Sequence, residues 1–245
     1  MKDNFSRQSA IYAKYRPAYP PQLYDFILEH VRNKQTAWDC ATGNGQAAKE
    51  LAKVFDKVYA TDISQKQIEN AVQQPNIFYS VQPAEQTNFP NDSFDLITVA
   101  QALHWFRFDD FYTEVKRVAK ANLIFAGWAY SLLHISGEID RLIEHHHYNV
   151  LGNYWDEERK YVDEEYSNIP FPYKKIDAPG FTISYDWTID ELEGYLNTWS
   201  ALQKFISANQ YNPVDELMSR IKPFWKQEKM RINFPIHLLL GQVEK

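Results

Sequence analysis

Cysteine is nearly absent from this sequence: Cys40 is the only one among 245 residues, which excludes an internal disulfide. Cys40 stands beside Asp39 in an apolar stretch. That position favours a small buried residue over a nucleophile, because no histidine is clearly placed to activate the thiol. With 44% hydrophobic residues, the chain is long enough for one large α/β domain with an insertion, and too short for two full-sized domains.

Basic residues are too few for a nucleic-acid partner. The chain has 26 Lys and Arg against 32 Asp and Glu, a formal net charge of −6, whereas nonspecific affinity for nucleic acid comes from clustered basic side chains. No apolar run has the length of a membrane span, and no charged-then-apolar leader is present. We expect a soluble, cytoplasmic protein with a small-molecule substrate and neither a nucleic-acid nor a membrane partner. The sequence does not indicate an oligomeric state.

Glycine is also scarce, with eight in all, yet Gly43 and Gly45 stand close together after an apolar run that ends at Asp39. Such an order predicts a strand, a tight loop and a helix. Without a Cβ, the backbone at these glycines can adopt positive φ and approach a ligand closely. Asp39, at the carboxyl end of the strand, is placed to accept hydrogen bonds from a ligand amine or hydroxyl. For the glycine pair alone, a tight turn without a ligand is the better interpretation.

A second acidic residue favours a ligand-binding loop over a tight turn without a ligand. Residues 58–62 form another short β-type run that ends at Asp62, and Asp62 lies 62 − 43 = 19 residues beyond Gly43. This spacing fits a βαβ unit whose second strand presents a carboxylate to a ribose diol. Residues 43–48 satisfy the G-x-G-x-x-G/A pattern of a dinucleotide site. S-adenosylmethionine would instead need an acid near its amino group, as Asp39 would supply, and the ribose acid.

Four blocks of sequence between residues 12 and 106, and a further segment near residue 200, make the second cofactor the more specific prediction. Asp39, Gly43 and Gly45 resemble motif I of the class I S-adenosylmethionine-dependent methyltransferases, D-x-G-x-G-x-G, with Ala41 in place of the first glycine. Residues 84–97 resemble the A-E-x-L-P-F-x-D-x-S-F-D-L-V block of the type-11 methyltransferase domain. Residues 101–106 resemble its Q-A-x-H-W-F continuation, seen in relatives of trans-aconitate methyltransferase. Residues 12–20 are similar to that branch's Y-x-x-Y-R-P-x-Y-P opening, and residues 194–200 to its G-Y-L-x-T-W-S segment.

This resemblance implies an α/β, Rossmann-like fold with a seven-stranded, mostly parallel sheet, flanking helices and an antiparallel C-terminal strand at the sheet edge. Periodicity predicts strands ending at Asp39, Asp62, residue 81, residue 101 and residue 128, and helices over residues 23–31, 64–72, 108–118 and 188–202. We expect one methyltransferase domain over 1–245. It comprises an arm (1–20), a cofactor-binding core (21–128), a helical insertion or lid (129–180) and a segment that completes the sheet (181–245).

The resemblance also implies positions around S-adenosyl-L-methionine. The arm of this branch folds over the cofactor, where Arg16 could clamp a carboxylate of the cofactor or of an acidic substrate. The loop after strand three would contact adenine through Ala84 and Glu85, although a solvated acid is an open alternative for Glu85, as is a packing role for Tyr19. The predicted cofactor-binding residues are Asp39, Ala41, Gly43, Gly45, Asp62, Ile63, Ala84, Glu85, Gln101, Tyr15, Arg16 and Tyr19.

A sulfonium methyl is already activated, so the main work of such a protein is to align the acceptor and exclude water. Alignment contributes ~7–11 kcal/mol at best, more than the roughly 10²–10⁴-fold of a general base, so a base is optional. Gln101 and His104 follow strand four and are the predicted catalytic residues. An orienting histidine held by Trp105 is the alternative. Residues 145–147 are three histidines on different helix faces, so no metal site is predicted.

Two other functions stay open from the sequence: an NAD(P)-dependent oxidoreductase, and an S-adenosylmethionine-binding protein without transferase activity. Asp39 and the blocks at residues 84–106 disfavour the first, and polar Gln101 and His104 disfavour the second. The acceptor and its reacting atom are not determined. A carboxylate acceptor depends on the likeness to the trans-aconitate branch and on Arg16.

Overall fold

A computed structural model describes residues 17–245, and the arm residues 1–16, including Tyr15 and Arg16, lie outside the described residues. The frame of the molecule is one mixed sheet. Its strands are β1 (Thr36–Cys40), β2 (Lys57–Asp62), β3 (Ile77–Val81), β4 (Phe94–Ala100), β5 (Ala119–Tyr130), β6 (Lys174–Lys175), β7 (Phe181–Trp187) and β8 (Met230–Gln242).

The described part of the chain also contains nine α-helices, the first of which precedes β1. They are α1 (Pro21–Glu29), α2 (Gln46–Leu51), α3 (Gln65–Glu69), α4 (Phe108–Val118), α5 (Gly137–His145), α6 (Lys160–Asp163), α7 (Ile189–Leu196), α8 (Ser200–Asn209) and α9 (Val214–Ile221). No helix in residues 17–245 combines the length and the apolar character that a membrane crossing requires.

The strand order is β3-β2-β1-β4-β5-β8, and both β6 and β7 pair with β8. Strands β1 to β5 are parallel, and β8 is antiparallel to its neighbours. The α/β, Rossmann-like class with an antiparallel C-terminal strand is therefore confirmed. The sheet has eight strands where seven were expected, because the two-residue β6 adds to it from within the predicted insertion.

The prediction of an edge position for β8 is wrong. This strand has 13 residues, enough for its first half to pair with β7 and its second half with β5. Ile236 is paired on both sides, with Tyr130 of β5 and with Phe181 of β7. The last strand therefore joins β7 to the parallel core.

The sheet separates two apolar clusters. Along β5, Ile124 and Ala126 face one cluster, while Leu123 and Phe125 face the other, as the two-residue period of a strand requires. The residues of β4 from Phe94 to Val99 are all buried, which is typical of a parallel strand covered by helices on both faces. The rigid core thus holds the carboxyl ends of β1, β2 and β4 in place.

One predicted helix is in fact two. The helix expected over residues 188–202 breaks after α7, and the polar side chains at the break satisfy the freed carbonyls. Asn197 Nδ2 donates to the Glu193 carbonyl at 2.8 Å, and Thr198 Oγ1 donates to the Tyr195 carbonyl at 2.6 Å. Such side chains compete with helical backbone bonds, and a new helix, α8, then begins at Ser200.

Candidate active site

The candidate site lies where the order of the sheet reverses. Strand β1 has β2 on one side and β4 on the other, and the connections from these strands leave in opposite directions. In open α/β sheets, the crevice outside the carboxyl ends at such a point is the usual place for a ligand. Asp39, Asp62 and Gln101 stand at or just beyond the ends of β1, β2 and β4, as predicted from the sequence.

The loop between β1 and α2 contains three residues in the left-handed region: Ala41 at φ +54°, Gly43 at +56° and Gly45 at +82°. A Cβ added to Gly43 would meet no described atom within 4 Å, so its backbone borders open space. A Cβ on Gly45 would lie 2.3 Å from the Tyr79 hydroxyl. Gly45 is therefore needed to accommodate Tyr79, a reason different from the expected approach of a ligand.

Ala41 takes the place of the first glycine of the motif, and its positive φ is unusual for a residue with a Cβ. Left-handed backbone costs a residue with a Cβ roughly 1–2 kcal/mol. Gln101, just beyond β4, has a φ of +59° as well. Both strand ends that border the crevice thus contain a non-glycine residue in a sparsely populated conformation, which occurs most often at functional sites.

Asp39 fixes the loop between β1 and α2 through hydrogen bonds to its carboxylate. It is 1% exposed, and one carboxylate oxygen accepts hydrogen bonds from the Thr42 hydroxyl at 2.5 Å and the Ala48 amide at 3.0 Å. The other oxygen accepts from the Thr98 hydroxyl of β4 at 2.8 Å. We expected this carboxylate to face a ligand amine. In the structure, donors from the protein itself bind both oxygens and shape the loop, and a contact between Asp39 and a ligand amine stays a prediction.

Burial raises the pKa of Asp39 from 3.8 to about 6, although the bonds from Thr42, Thr98 and Ala48 lower it and nearby Asp62 raises it slightly. At neutral pH the group is still mostly ionised, so it places negative charge beneath the first turn of α2. A dinucleotide would bring its pyrophosphate to this turn. The charge of Asp39 therefore disfavours the dinucleotide alternative.

Asp62 connects two loops at the end of β2. Its carboxylate accepts from the Gly43 amide and from the Ser64 amide, both at 2.9 Å. A carboxylate can accept several hydrogen bonds, and a contact between Asp62 and a ribose diol stays a prediction. Ile63, the next residue, is half-buried between Asp62 and the N-cap Ser64.

The loop after β3 is tied to the start of α4. Ala84 is 2% exposed, and the Glu85 carboxylate accepts from the Arg107 amide at 3.2 Å. The guanidinium of Arg107 lies 3.9 Å from the same carboxylate oxygen. Glu85 is thus held by protein groups and is not a solvated loop acid, and a contact to adenine stays a prediction.

Tyr19 belongs to the core. Its ring packs edge-on against Trp128 with the centroids 5.4 Å apart, and it also contacts Tyr130. The residues around it show how the arm enters the fold: Gln46 of α2 donates to the Pro17 carbonyl at 3.2 Å, and the Ala18 amide donates to the Tyr185 hydroxyl at 2.8 Å. Packing therefore accounts for the burial of Tyr19.

Gln101 joins the ends of β4 and β5. Its Oε1 accepts from the Tyr130 amide at 2.8 Å, and its Nε2 donates to the Tyr130 carbonyl at 3.2 Å. Its backbone amide donates to the Trp128 carbonyl at 2.8 Å. The Gln101 side chain thus pairs with both backbone groups of Tyr130, as a neighbouring strand would. The geometry therefore favours a structural role for Gln101 over the predicted catalytic one.

His104 lies on a single 3₁₀ turn, Leu103–Trp105, directly after Gln101, and is 6% exposed. Its Nδ1 is 2.9 Å from the hydroxyl of Tyr166, and its ring lies 4.9 Å from that of Trp105. Both contacts fix the ring plane. His104 and Gln101 together border a cavity of about 90 Å³ that is open to solvent.

This cavity combines core and insertion residues, and we name it the aromatic pocket. It is lined by Gln101, His104, Trp105, Tyr130, Leu132, Trp155, Asp156, Arg159, Tyr195, Thr198, Trp199 and Ser200. Sequence reasoning missed most of these residues as site residues. The G-Y-L-x-T-W-S block held a usable signal, since it contributes Tyr195, Thr198, Trp199 and Ser200.

Among the described residues that line the aromatic pocket, the one lysine or arginine is Arg159. Its Nε donates to Asp163 at 3.0 Å, one turn further on, and its guanidinium lies 5.0 Å over the ring of Trp155. Its Asp163 partner also lies 3.4 Å from His147. These contacts hold the guanidinium in one orientation, with its terminal nitrogens as the groups still able to bind an anion.

Comparison with known proteins agrees with this geometry. Residues 38–126 match a family described as a methyltransferase domain. A Dictyostelium discoideum protein described as a methyltransferase is 35% identical over 251 residues, which cover 99% of this chain and 95% of that one. This chain belongs to the class I S-adenosylmethionine-dependent methyltransferases.

Other relatives of this methyltransferase agree. An Anaeromyxobacter dehalogenans structure, described as a type II methyltransferase, has a TM-score of 0.87 and 34% identity, with 94% of this chain and 99% of that chain covered. A Saccharomyces cerevisiae protein described as an S-adenosylmethionine-dependent methyltransferase is 26% identical over 136 residues, 52% of this chain and 47% of that one. S-adenosylmethionine is the cofactor of the family.

The crevice of the methyltransferase fits this cofactor. Asp62 presents a carboxylate at the end of β2, to which the hydroxyls of a ribose can donate hydrogen bonds, and the backbone of Gly43 borders open space. No group of three or more His, Cys, Asp or Glu side chains in residues 17–245 is arranged to hold a metal ion. His146 and His147 are buried beside Trp199 instead.

Proposed function

We propose that this methyltransferase transfers the methyl group of S-adenosylmethionine to a small-molecule carboxylate bound in the aromatic pocket. The observation that carries the proposal is Arg159, a guanidinium held by Asp163 over Trp155 at the pocket wall. A guanidinium binds a carboxylate through two parallel hydrogen bonds, which also orients it. The pocket starts at Gln101 and His104, beside the strand end that faces the cofactor crevice.

The residues of the aromatic pocket would orient the acceptor and exclude water from it. When bound, S-adenosylmethionine supplies an activated methyl group. Arg159 orients the acceptor, while the rings of Trp105, Trp155 and Trp199 exclude water from it. A carboxylic acid with an ordinary pKa of about 4 is ionised at neutral pH, so its oxygen is already nucleophilic and no residue has to remove a proton.

A second part of the proposal concerns the role of the insertion, residues 129–180. We propose that residues 129–180 act as the substrate lid of a single domain, a role supported by Trp155, Asp156 and Arg159 in the pocket wall. Asp156 is held by Lys204 of α8 at 2.7 Å, which attaches this insertion to the C-terminal helices. Kinship with the trans-aconitate branch stays a prediction, supported by the position of residues 195 and 198–200 in the same pocket.

The test combines cofactor binding with methyl transfer. We expect S-adenosylhomocysteine to bind to the wild-type chain in a calorimetric titration, with an affinity about 10- to 100-fold weaker in Asp62→Ala, since a lost charged hydrogen bond costs about 1.5–3 kcal/mol. Asp186→Ala, which removes an exposed acid on β7, is the control. Labelled methyl groups should pass to members of a carboxylate panel. Equal affinity in Asp62→Ala, or transfer to amines and thiols alone, would contradict the proposal.

A further inference from the structure

Tyr166 lies in the insertion, shortly after α6, and its hydroxyl reaches His104 at the wall of the aromatic pocket. It is 1% exposed, and both Tyr166 and its neighbour Glu165 have φ near +60°. Two successive side chains in the left-handed region are unusual and occur where surrounding contacts enforce them. Here the Tyr166 amide donates to the Tyr161 carbonyl at 2.7 Å, and the hydroxyl lies 2.9 Å from His104 Nδ1.

The direction of that hydrogen bond follows from the burial of the hydroxyl. Among the described residues, His104 Nδ1 is the hydrogen-bond partner of the Tyr166 hydroxyl, and a buried O–H that donates to no acceptor is costly. The proton of the hydroxyl is therefore directed at Nδ1, which accepts it. Burial raises the pKa of Tyr166 well above its ordinary value, so the hydroxyl keeps this proton at any pH at which the protein functions.

A neutral imidazole carries one proton, on whichever nitrogen is not accepting. We propose that Tyr166 is a positioning residue that holds His104 in the tautomer protonated at Nε2, so that His104 donates a hydrogen bond to the acceptor carboxylate and is not its general base. The identity of the recipient rests on the proposed function, whereas the tautomer is a property of the chain alone. An ionised carboxylate agrees with this role, because it needs a donor and has no proton to lose.

The tautomer can be observed directly. The chain has seven histidines, and long-range nitrogen–proton correlation spectra of the full-length protein labelled at histidine nitrogens distinguish protonation at Nδ1 from protonation at Nε2. The signal missing from His104→Gln identifies His104. At alkaline pH we expect the Nε2-protonated form in the wild type and a mixture of both forms in Tyr166→Phe. Tyr173→Phe removes a different buried tyrosine hydroxyl and should leave the His104 signal unchanged.

Kinetics give the second readout. A glutamine amide can donate a hydrogen bond but takes no proton at neutral pH, so His104→Gln should keep kcat within about 10-fold of wild type, whereas loss of a general base would cost roughly 10²–10⁴-fold. Tyr166→Phe should lower kcat by about two- to tenfold, because only a fraction of the rings then present the donor. The affinity for S-adenosylhomocysteine should not change in either variant.

A wild-type His104 protonated at Nδ1 would overturn the proposal even if Tyr166→Phe failed to fold. A spectrum of Tyr166→Phe identical to wild type would overturn the role of Tyr166. A drop of kcat to the general-base range in His104→Gln would overturn the donor role. If the tautomer and its dependence on Tyr166 are observed but no carboxylate is methylated, the proposed function fails while the assignment of the tautomer stands.

Discussion

At the scale of single residues, Asp39 is an acid whose ionisation works against folding. Its pKa is 3.8 in an ordinary environment and about 6 in the folded protein, chiefly because burial removes water from the charge. Between these two pH values the folded state binds more protons than the unfolded state. The contribution of Asp39 to stability therefore falls as pH rises from about 4 to about 6, and its cost is fully present at neutral pH.

The Asp39→Asn substitution should remove this pH dependence. The amide oxygen can accept from Thr42 and Ala48, and the amide nitrogen can donate to the Thr98 hydroxyl. Since one pKa unit corresponds to about 1.4 kcal/mol, we expect the free energy of unfolding of the variant, relative to wild type, to rise by up to about 3 kcal/mol between pH 4 and pH 7. Urea unfolding at a series of pH values measures this difference.

The control for that experiment is Asp186→Asn, because Asp186 is an exposed acid paired with Arg231. The free energy of unfolding of Asp186→Asn, relative to wild type, should not rise between pH 4 and pH 7. Parallel curves for Asp39→Asn and wild type across the whole pH range would show that Asp39 is not buried and ionised in the way the structure indicates.

At the scale of single elements, the capping of α7 is well defined. The Glu191 amide donates to the Thr188 hydroxyl at 3.3 Å, and the Thr188 amide donates to the Glu191 carboxylate at 2.8 Å, which completes a capping box. This helix brings Tyr195 to the aromatic pocket. Its first turn thus contributes to the position of a pocket wall.

We expect Thr188→Ala to lower the free energy of unfolding by about 1 kcal/mol, the typical cost of losing a threonine N-cap. Thr113→Ala is the matched control. Thr113 lies inside α4, is exposed, and donates only to the Asp109 carbonyl of its own helix, so its substitution should cost less than about 0.5 kcal/mol. Denaturant unfolding measures the free energy of unfolding of both variants. Equal decreases in the two would argue against the cap as a stabilising feature.

At the scale of the whole molecule, the aromatic pocket is assembled from parts that lie far apart in the sequence. The end of β4 supplies His104, the insertion supplies Arg159, and the break between α7 and α8 supplies Trp199. The Asp156–Lys204 ion pair joins the insertion to α8. Substrate affinity should therefore depend on the insertion, whereas cofactor affinity should depend on the loops after β1 and β2.

The Arg159→Gln substitution tests this division. The loss of a charged pair of hydrogen bonds should raise KM for a carboxylate acceptor by about 10- to 100-fold, while the affinity for S-adenosylhomocysteine stays at the wild-type value. Arg141→Gln, which removes an exposed arginine of α5 paired with Glu138, should change neither quantity. Steady-state kinetics with the best carboxylate and a calorimetric titration provide the two measurements. An unchanged KM would place the acceptor elsewhere.

Local patterns in the chain were sufficient for the strand that ends near Asp39, the strand that ends at Asp62 and helix α4. Apolar periodicity, glycine placement and capping chemistry act over a few residues, so they can be recognised without the fold. The resemblance of the family blocks added the fold class and the cofactor.

Packing between distant residues determined the rest. The Asp39 carboxylate is buried, and it accepts a hydrogen bond from the hydroxyl of Thr98, which lies 59 residues away in the sequence. Tyr79 is what requires Gly45 to lack a side chain, and β8 left the sheet edge because β7 pairs beside it. The bond between His104 and Tyr166 spans 62 residues. Such contacts carry no local signature, because they depend on how the insertion and the C-terminal helices pack onto the sheet.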